Sequence, residues 1–351
     1  QSVLDKVEPG DVVILESGEY FEDLKTRVHG AEGKRITIKG AGGSSGRESV
    51  VLRGTGDQSR LFQLMHDYYT LEDFTIDGHD DDKDNTRDIL LYVAADGLPT
   101  ERSGGYMSAL DGLVIRGMAF KHALSECVRI RNFVTYADID DNEISDCGIK
   151  DFVINDGEKE KNGEGIYLGT ARSQWDDTSK NPSGEADVCL GNRIRNNKIV
   201  TNGNEGVDVK EGCLDTVIDN NYISMQNDPK AEGISSHADF TTITGNTITD
   251  AAGAGVRVGT DEADEDGIFY GLDNTVTGNT VVNCLAYGVK IMSIPQRAIC
   301  GNDIELPPGQ DPDTYPYSGG EYGEEFEPLE ACDGSPTPAP TRNTPAPSIT
   351  P

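Results

Sequence analysis

Beyond about residue 138 the chain alternates apolar and polar positions over short runs, as in Val217-Ile218-Asp219 and Thr242-Ile243-Thr244, each followed by an Asn-x-(Ile/Val) motif. The motif recurs at Asn142, Asn197, Asn221, Asn246, Asn279 and Asn302, with clean steps of 24, 25 and 23 residues and longer gaps of 55 and 33. Period-2 alternation marks half-buried strands, and repetition every ~24 residues with Gly and Asn at the corners marks a solenoid. The longer gaps fit one coil or more plus inserted loops. No segment carries an amphipathic helical period of three or more turns. The pattern predicts an all-β chain: a right-handed parallel β-helix over residues 1–306, a capping or packing segment over 307–333, and a Pro/Thr-rich linker or tail over 334–351.

A second repeat runs in step with the first. Its members are Glu126-Cys-Val-Arg-Ile-Arg131, Glu164-Gly-Ile-Tyr-Leu-Gly169, Glu205-Gly-Val-Asp-Val-Lys210, Glu232-Gly-Ile-Ser-Ser-His237, Ala254-Gly-Val-Arg-Val-Gly259 and Tyr287-Gly-Val-Lys-Ile-Met292. The third and usually the fifth positions are apolar and point inward, which sends the fourth and sixth outward. Coils stack about 4.8 Å apart, so residues far apart in sequence line up in columns. One outward column then holds Arg129, Tyr167, Asp208, Ser235, Arg257 and Lys290. The next holds Arg131, Lys210, His237 and Met292, with two glycines. Glu126, Glu164, Glu205 and Glu232 border both.

Composition narrows the partners. The 351 residues include 30 basic and 62 acidic side chains, for a net charge of −32. That balance argues against nucleic acid, and it admits a polyanionic substrate only where a metal ion or a local basic patch offsets it. No apolar run approaches the ~20 residues of a membrane span. The chain opens at Gln1 without an initiator Met or a charged-then-apolar leader, as a processed mature chain would. No Asn-x-Ser/Thr sequon with an allowed middle residue occurs.

Cys189 and Cys213 each lie eight residues before a motif Asn, which places them in one column on adjacent coils and suits a disulfide, with buried free thiols as the alternative. Cys127/Cys147 and Cys284/Cys300 are further pairs by spacing, with Cys332 left over. Disulfides in so acidic a chain point to a secreted or extracellular protein, associated with a wall or surface through its tail.

Four carboxylates in one column repel each other unless a cation sits among them, and all-oxygen ligands favour Ca²⁺. Glu164, Glu205, Asp208 and Glu232 are the candidate ligands. Acids beside Lys, His and Arg in a shallow trough suit β-elimination on a uronic-acid polymer. The C5 proton is removed by a base, the neighbouring carboxylate is neutralised, and the leaving glycosidic oxygen is protonated. Lys210 is the preferred base, Tyr167 and His237 are candidate donors (or the base in its place), and Arg257 faces the substrate carboxylate. Arg129, Arg131 and the loop residue Trp175 are candidate substrate contacts. The acidic loop Asp77–Asp84 lacks EF-hand spacing and reads as a solvated loop. A salt-bridge ladder on a non-catalytic, tail-tethered glycan-binding module accounts for the same charges, and an epimerase would use the same proton abstraction.

The segments Val7-Glu-Pro-Gly-Asp-Val-Val-Ile-Leu15, Gly18-Glu-Tyr20, Arg35-Ile-Thr-Ile-Lys39, Val51-Leu-Arg-Gly54 and Leu71-Glu-Asp-Phe-Thr-Ile-Asp-Gly78 resemble the opening coils of the alginate lyase and chondroitinase B family of polysaccharide lyases. The likeness runs over about residues 3–305. It implies a β-helix acting on an acidic polysaccharide or cell-wall glycan, with Glu205 as metal ligand and Lys210, five residues on, as base. It also implies an Arg-His pair one coil later, where this chain has Ser236-His237, and a second metal glutamate at the position of Gly203.

Overall fold

The structure, a computed structural model, describes residues 1–55, 59–79, 88–95, 97–149, 163–260, 263, 267–305, 307–310, 317–319 and 332. Three parallel sheets of ten strands each wind about one axis. The first runs from Val12–Leu15 to Ala298–Cys300, the second from Gly18–Tyr20 to Asp303–Glu305, and the third from Leu24–Lys25 to Tyr317–Gly319. This is the parallel β-helix that the alternation predicts. Tyr317–Gly319 adds the last strand of the third sheet, beside Val289–Ile291. The acidic loop from residue 80, the insert at 150–162 and the tail from 333 lie outside the described residues.

Each strand is short because every second side chain fills the narrow interior. Ile194, Ile218, Ile243 and Val276 stack from the first sheet, Ile199, Ile223, Ile248 and Val281 from the second, and Val207, Ile234, Val256 and Val289 from the third, all fully buried. Burying one such side chain contributes roughly 1.5–3 kcal/mol. The interior is so tight along the third sheet that Gly206 and Gly233 have no room for a side chain. A Cβ at either would lie 2.4 Å from the Cγ2 of Ile223 or Ile248.

The motif asparagines form a continuous buried ladder. Asn142 Nδ2 donates to Asn197 Oδ1 at 2.8 Å, Asn197 to Asn221 at 2.9 Å, Asn221 to Asn246 at 2.9 Å, Asn246 to Asn279 at 3.0 Å and Asn279 to Asn302 at 2.9 Å. Each Oδ1 also accepts the backbone N–H of the preceding ladder Asn, so buried donors and acceptors satisfy each other. The residue before each Asn sits at positive φ, as at Asn196 (54°) and Gly245 (64°), where Asn, Asp and Gly are tolerated.

The cysteines correct the expected pairing. Cys127–Cys147 is a disulfide as the spacing allows, but Cys300 pairs with Cys332, and Cys189, Cys213 and Cys284 are buried thiols. Cys189 and Cys213 do share a column, flanked by the Leu190–Leu214 bridge. Residues stacked in register on parallel strands hold their Cβ atoms about 4.8 Å apart, beyond the ~3.8 Å that a disulfide prefers. The two thiols instead donate to Asp187 Oδ1 at 3.4 Å and to the Leu168 carbonyl at 3.7 Å.

Candidate active site

The register of the third sheet assembles the outward columns. Arg129 pairs with Tyr167, Tyr167 with Asp208, Asp208 with Ser235, Ser235 with Arg257 and Arg257 with Lys290. The adjoining column follows through backbone bonds from Lys210 N to Leu168 O at 2.8 Å and from His237 N to Val209 O at 2.8 Å. Its two glycines are placed where the strand ends and the chain turns away, with φ of 92° at Gly169 and 100° at Gly259. A Cβ on Gly169 would approach the Cβ of Lys210 to 3.3 Å.

Asp208 lies at the centre and is fully buried. Lys210 Nζ sits 2.5 Å from its Oδ2, and His237 Nε2 lies 3.8 Å from its Oδ1 and 3.2 Å from Ser235 Oγ. Lys210 Nζ also stands 5.1 Å from the centre of the Tyr167 ring. One ligand oxygen from each of Glu164, Glu205 and Asp208 falls within 4.8 Å of the others. Glu164 is oriented by Gly163 N at 2.9 Å and Asn204 Nδ2 at 3.4 Å, while Glu205 Oε2 is buried with no hydrogen-bond partner among the described residues. A buried carboxylate oxygen with no donor, facing two more carboxylates, fits a divalent cation held by oxygen ligands. Glu232 stands apart from that trio. Its Oε1 lies 3.7 Å from Lys290 Nζ and 4.0 Å from Arg257 Nη1.

Charge states follow from this packing. Burial, reinforced by Asp208 and Glu164, pushes the Glu205 carboxyl well above the usual range. Burial likewise lifts Asp208 to about 6, with Lys210 opposing. For Lys210 burial acts downward, but Asp208, Tyr167 and Glu205 outweigh it and hold the ammonium protonated. His237 moves the other way: burial, then Arg257, Lys210 and Lys290, keep its ring neutral. Burial raises the Tyr167 phenol, so it holds its proton.

The remaining expected contacts divide. Arg129 pairs with Glu126 and lies 4.9 Å over the Tyr167 ring, and Arg131 Nε donates to Tyr92 Oη at 3.0 Å. Trp175 uses its indole N–H on the Thr170 carbonyl at 2.8 Å and meets Tyr270 edge-on at 5.7 Å, beside Gly212. Tyr92 and Tyr270 were not anticipated. Carrying the column one coil upstream through Leu91-Tyr92-Val93 would have found Tyr92. Nothing in the local sequence marks Tyr270, which arrives from a separate loop. Downstream, a cavity of about 320 Å³ opens beside Arg257, Lys290, Lys230 and Tyr287.

With the architecture in place, likeness to solved structures is informative. An alginate lyase from Paenibacillus sp. str. FPU-7 superposes with a TM-score of 0.69 at 19% identity, over 94% of this chain and 96% of that one. The fold is a right-handed parallel β-helix. Pectate lyase Pel9A shares this β-helix with a TM-score of 0.50 at 14% identity, over 87% of this chain and 71% of that one. The catalytic unit of a GH87 α-1,3-glucanase from Streptomyces thermodiastaticus strain HF3-3 matches with a TM-score of 0.53 at 18% identity, over 84% of this chain but 48% of its own. The family model described as periplasmic copper-binding protein (NosD) matches residues 136–305 of the β-helix. No curated protein matches the chain. Among the described residues, no helix is long and apolar enough to cross a membrane.

Proposed function

We propose that the protein is a secreted polysaccharide lyase that cleaves a uronic-acid-containing glycan by β-elimination on the outward face of the third sheet. The observation that carries this reading is the convergence of Lys210, His237 and Tyr167 around one buried acidic centre, flanked by Arg257. The C5 proton passes to a base, the C4–O bond breaks as the C4–C5 double bond forms, and the leaving oxygen takes a proton. Tyr167, held protonated by burial, is the donor within reach of Lys210. Arg257 faces the substrate carboxylate. A Ca²⁺ ion on Glu164, Glu205 and Asp208 would add neutralising charge where the enolate forms. Lys210 is free to accept a proton only when Asp208 and Glu205 no longer hold its own; of the two candidate bases Lys210 and His237, His237 is neutral without that change.

Ultraviolet absorbance of the unsaturated product, followed with alginate, pectate and chondroitin sulfate in Ca²⁺ and then in chelator, tests the reading. A rising signal that disappears in Lys210→Ala but survives in His237→Ala assigns the base to Lys210, and the reverse assigns it to His237. The ion pairs that tie Lys210 to Asp208, and Lys290 and Arg257 to Glu232, favour a second reading, a non-catalytic glycan-binding module tethered by the tail. Flat absorbance on every polymer, with binding retained, would select it.

A further inference from the structure

Four of the chain's five histidines stand in two pairs, His29 with His66 and His79 with His122. The second pair lies at the corner where the second sheet gives way to the third. The strands Thr75–Asp77, Ala119–Lys121 and Glu143–Ser145 are neighbours on three successive coils, and each runs into this corner. Gly78 and His79 follow the first strand, His122 the second and Asp146 the third. His122 and Asp146 both take positive φ, 59° and 54°, so their side chains leave the backbone alike.

Asp77 organises both histidines. Its Oδ1 accepts from the His79 backbone N–H at 3.0 Å and from His122 Nδ1 at 2.8 Å, and its Oδ2 accepts from Arg53 at 3.0 Å. An ionised carboxylate only accepts, so Nδ1 carries a proton and the neutral His122 ring presents its lone pair at Nε2. That lone pair faces Asp146 Oδ2 across 3.9 Å, too far for a hydrogen bond. The other oxygen of Asp146 accepts from Asn202 Nδ2 at 2.7 Å. Partners thus run from Asp77 through His122 and Asp146 to Asn202, with one open step between two electron-pair donors. Zinc bonds nitrogen and oxygen at about 2.0–2.2 Å each, so one ion spans a gap of that width.

The histidine rings fit the same ion. A ring nitrogen ~2.0–2.1 Å from zinc puts the ring centre about 3.2 Å away, and two rings on one tetrahedral ion then have centres about 5.2 Å apart. The centres of His79 and His122 are 5.4 Å apart, with the planes tilted by 58°. The other pair offers no such arrangement, because its carboxylate, Asp67, is clamped by Arg102 at 3.1 and 3.2 Å.

We propose that His79, His122 and Asp146 form a surface site for a divalent transition-metal ion, Zn²⁺ in the first instance, oriented from behind by Asp77 and Asn202. Mixed nitrogen and oxygen ligands suit such an ion, whereas the all-carboxylate trough suits Ca²⁺. Outer hydrogen-bond partners of this kind fix the tautomer and direction of ligating side chains. The His122 and Asp146 side chains are 34% and 39% exposed, so the ion enters from solvent and keeps a position for water. Bound there, it links three coils beside the Cys127–Cys147 disulfide. The site is independent of the elimination reading.

The test titrates Zn²⁺ calorimetrically into the full chain in mildly alkaline buffer with excess Ca²⁺, which competes for the all-oxygen trough. One ion should bind per chain and raise the melting temperature, and chelator should reverse both. His79→Gln, His122→Gln and Asp146→Asn should each weaken binding roughly tenfold or more, and Asp77→Asn, which touches no metal, roughly 10–100-fold. Asp208→Asn should leave Zn²⁺ affinity unchanged. Co²⁺ in place of Zn²⁺ should give visible absorption bands that disappear in His122→Gln, and melting temperatures of the metal-free variants check folding. Zn²⁺ binding lost in Asp208→Asn, or native affinity in any one of the three ligand variants, would overturn the proposal. So would the absence of one-to-one binding, which would leave His122 as an ion-pair partner of Asp77 and Asp146.

Discussion

Replacing Asn221 by Ala removes one rung of the buried ladder and leaves the strands on either side intact. Asn221 is 1% exposed. Its Oδ1 accepts from Asn197 N and Asn197 Nδ2, both at 2.9 Å. Its Nδ2 donates to Asn246 Oδ1 and to the Ile194 carbonyl, both at 2.9 Å. Asn197 Nδ2 keeps a second acceptor, the Ile139 carbonyl, and Asn246 Oδ1 keeps the Asn221 N–H. Among the described residues Asn197 N keeps nothing, because no backbone carbonyl receives it. One orphaned buried donor at about 1–3 kcal/mol, together with three lost side-chain bonds at about 1 kcal/mol each, gives an expected loss of about 4–6 kcal/mol. Equilibrium urea unfolding followed by circular dichroism measures it, with Asn227→Ala as the comparison, since that side chain makes one exposed bond to the Asn202 carbonyl. A shift below about 1 kcal/mol, indistinguishable from Asn227→Ala, would show that the ladder sets register without stabilising the fold.

Gly206→Ala should destabilise by about 1–3 kcal/mol, because the new methyl meets Ile223 Cγ2 at 2.4 Å and the Gly233 carbonyl at 2.9 Å; unchanged thermal unfolding would contradict the packing. Thiol titration in denaturant without reductant should count three thiols, Cys189, Cys213 and Cys284; a count of one would mean that Cys189 and Cys213 are bridged. Terbium or calcium binding should weaken as pH falls through about 6, where Asp208 takes up a proton, and should be lost in Asp208→Asn; affinity that is flat across that range would move the ion elsewhere. His122, hydrogen-bonded through Nδ1 to Asp77 at 2.8 Å, has its pKa raised first by that bond. Its stabilising contribution is therefore fully present below the ordinary histidine value and is lost as pH rises through the folded one. His122→Gln should then lower the melting temperature more at pH values below ~6.5 than in mildly alkaline buffer, and an equal loss at both would refute the assignment.

The columns were legible because a parallel solenoid converts sequence spacing into spatial register. Once Asn197, Asn221 and Asn246 fix the step, Tyr167, Asp208, Ser235 and Arg257 fall into one line without any knowledge of loops. The disulfides were less legible because sharing a column is not enough. Cys300 reaches Cys332 through a segment outside the repeat, and Cys189 stays beside Cys213 with its Cβ pointing parallel to that of its neighbour. The contact of Trp175 with Tyr270 was hidden for a related reason, since two inserted loops of unrelated sequence meet there. Charge states also depended on depth: Lys210 and His237 are near neighbours of Asp208, yet burial and net surroundings drive one to stay protonated and the other to stay neutral.

The asparagine corner has a consequence for how such a molecule can change over generations. From Glu72 onward the first and second sheets are always joined by two residues, as by Asn220 and Asn221 or Gly245 and Asn246. A ladder that must bond rung to rung tolerates no added residue there. Every difference in coil length is therefore displaced to the two other corners, which are the banks of the third sheet. Insertions arriving by chance are delivered to the rim of the trough, where the 169–192 and 259–274 connections already differ from their shorter counterparts at 210–216 and 237–241. The scaffold can thus acquire a new preference by lengthening one bank while its spine stays fixed.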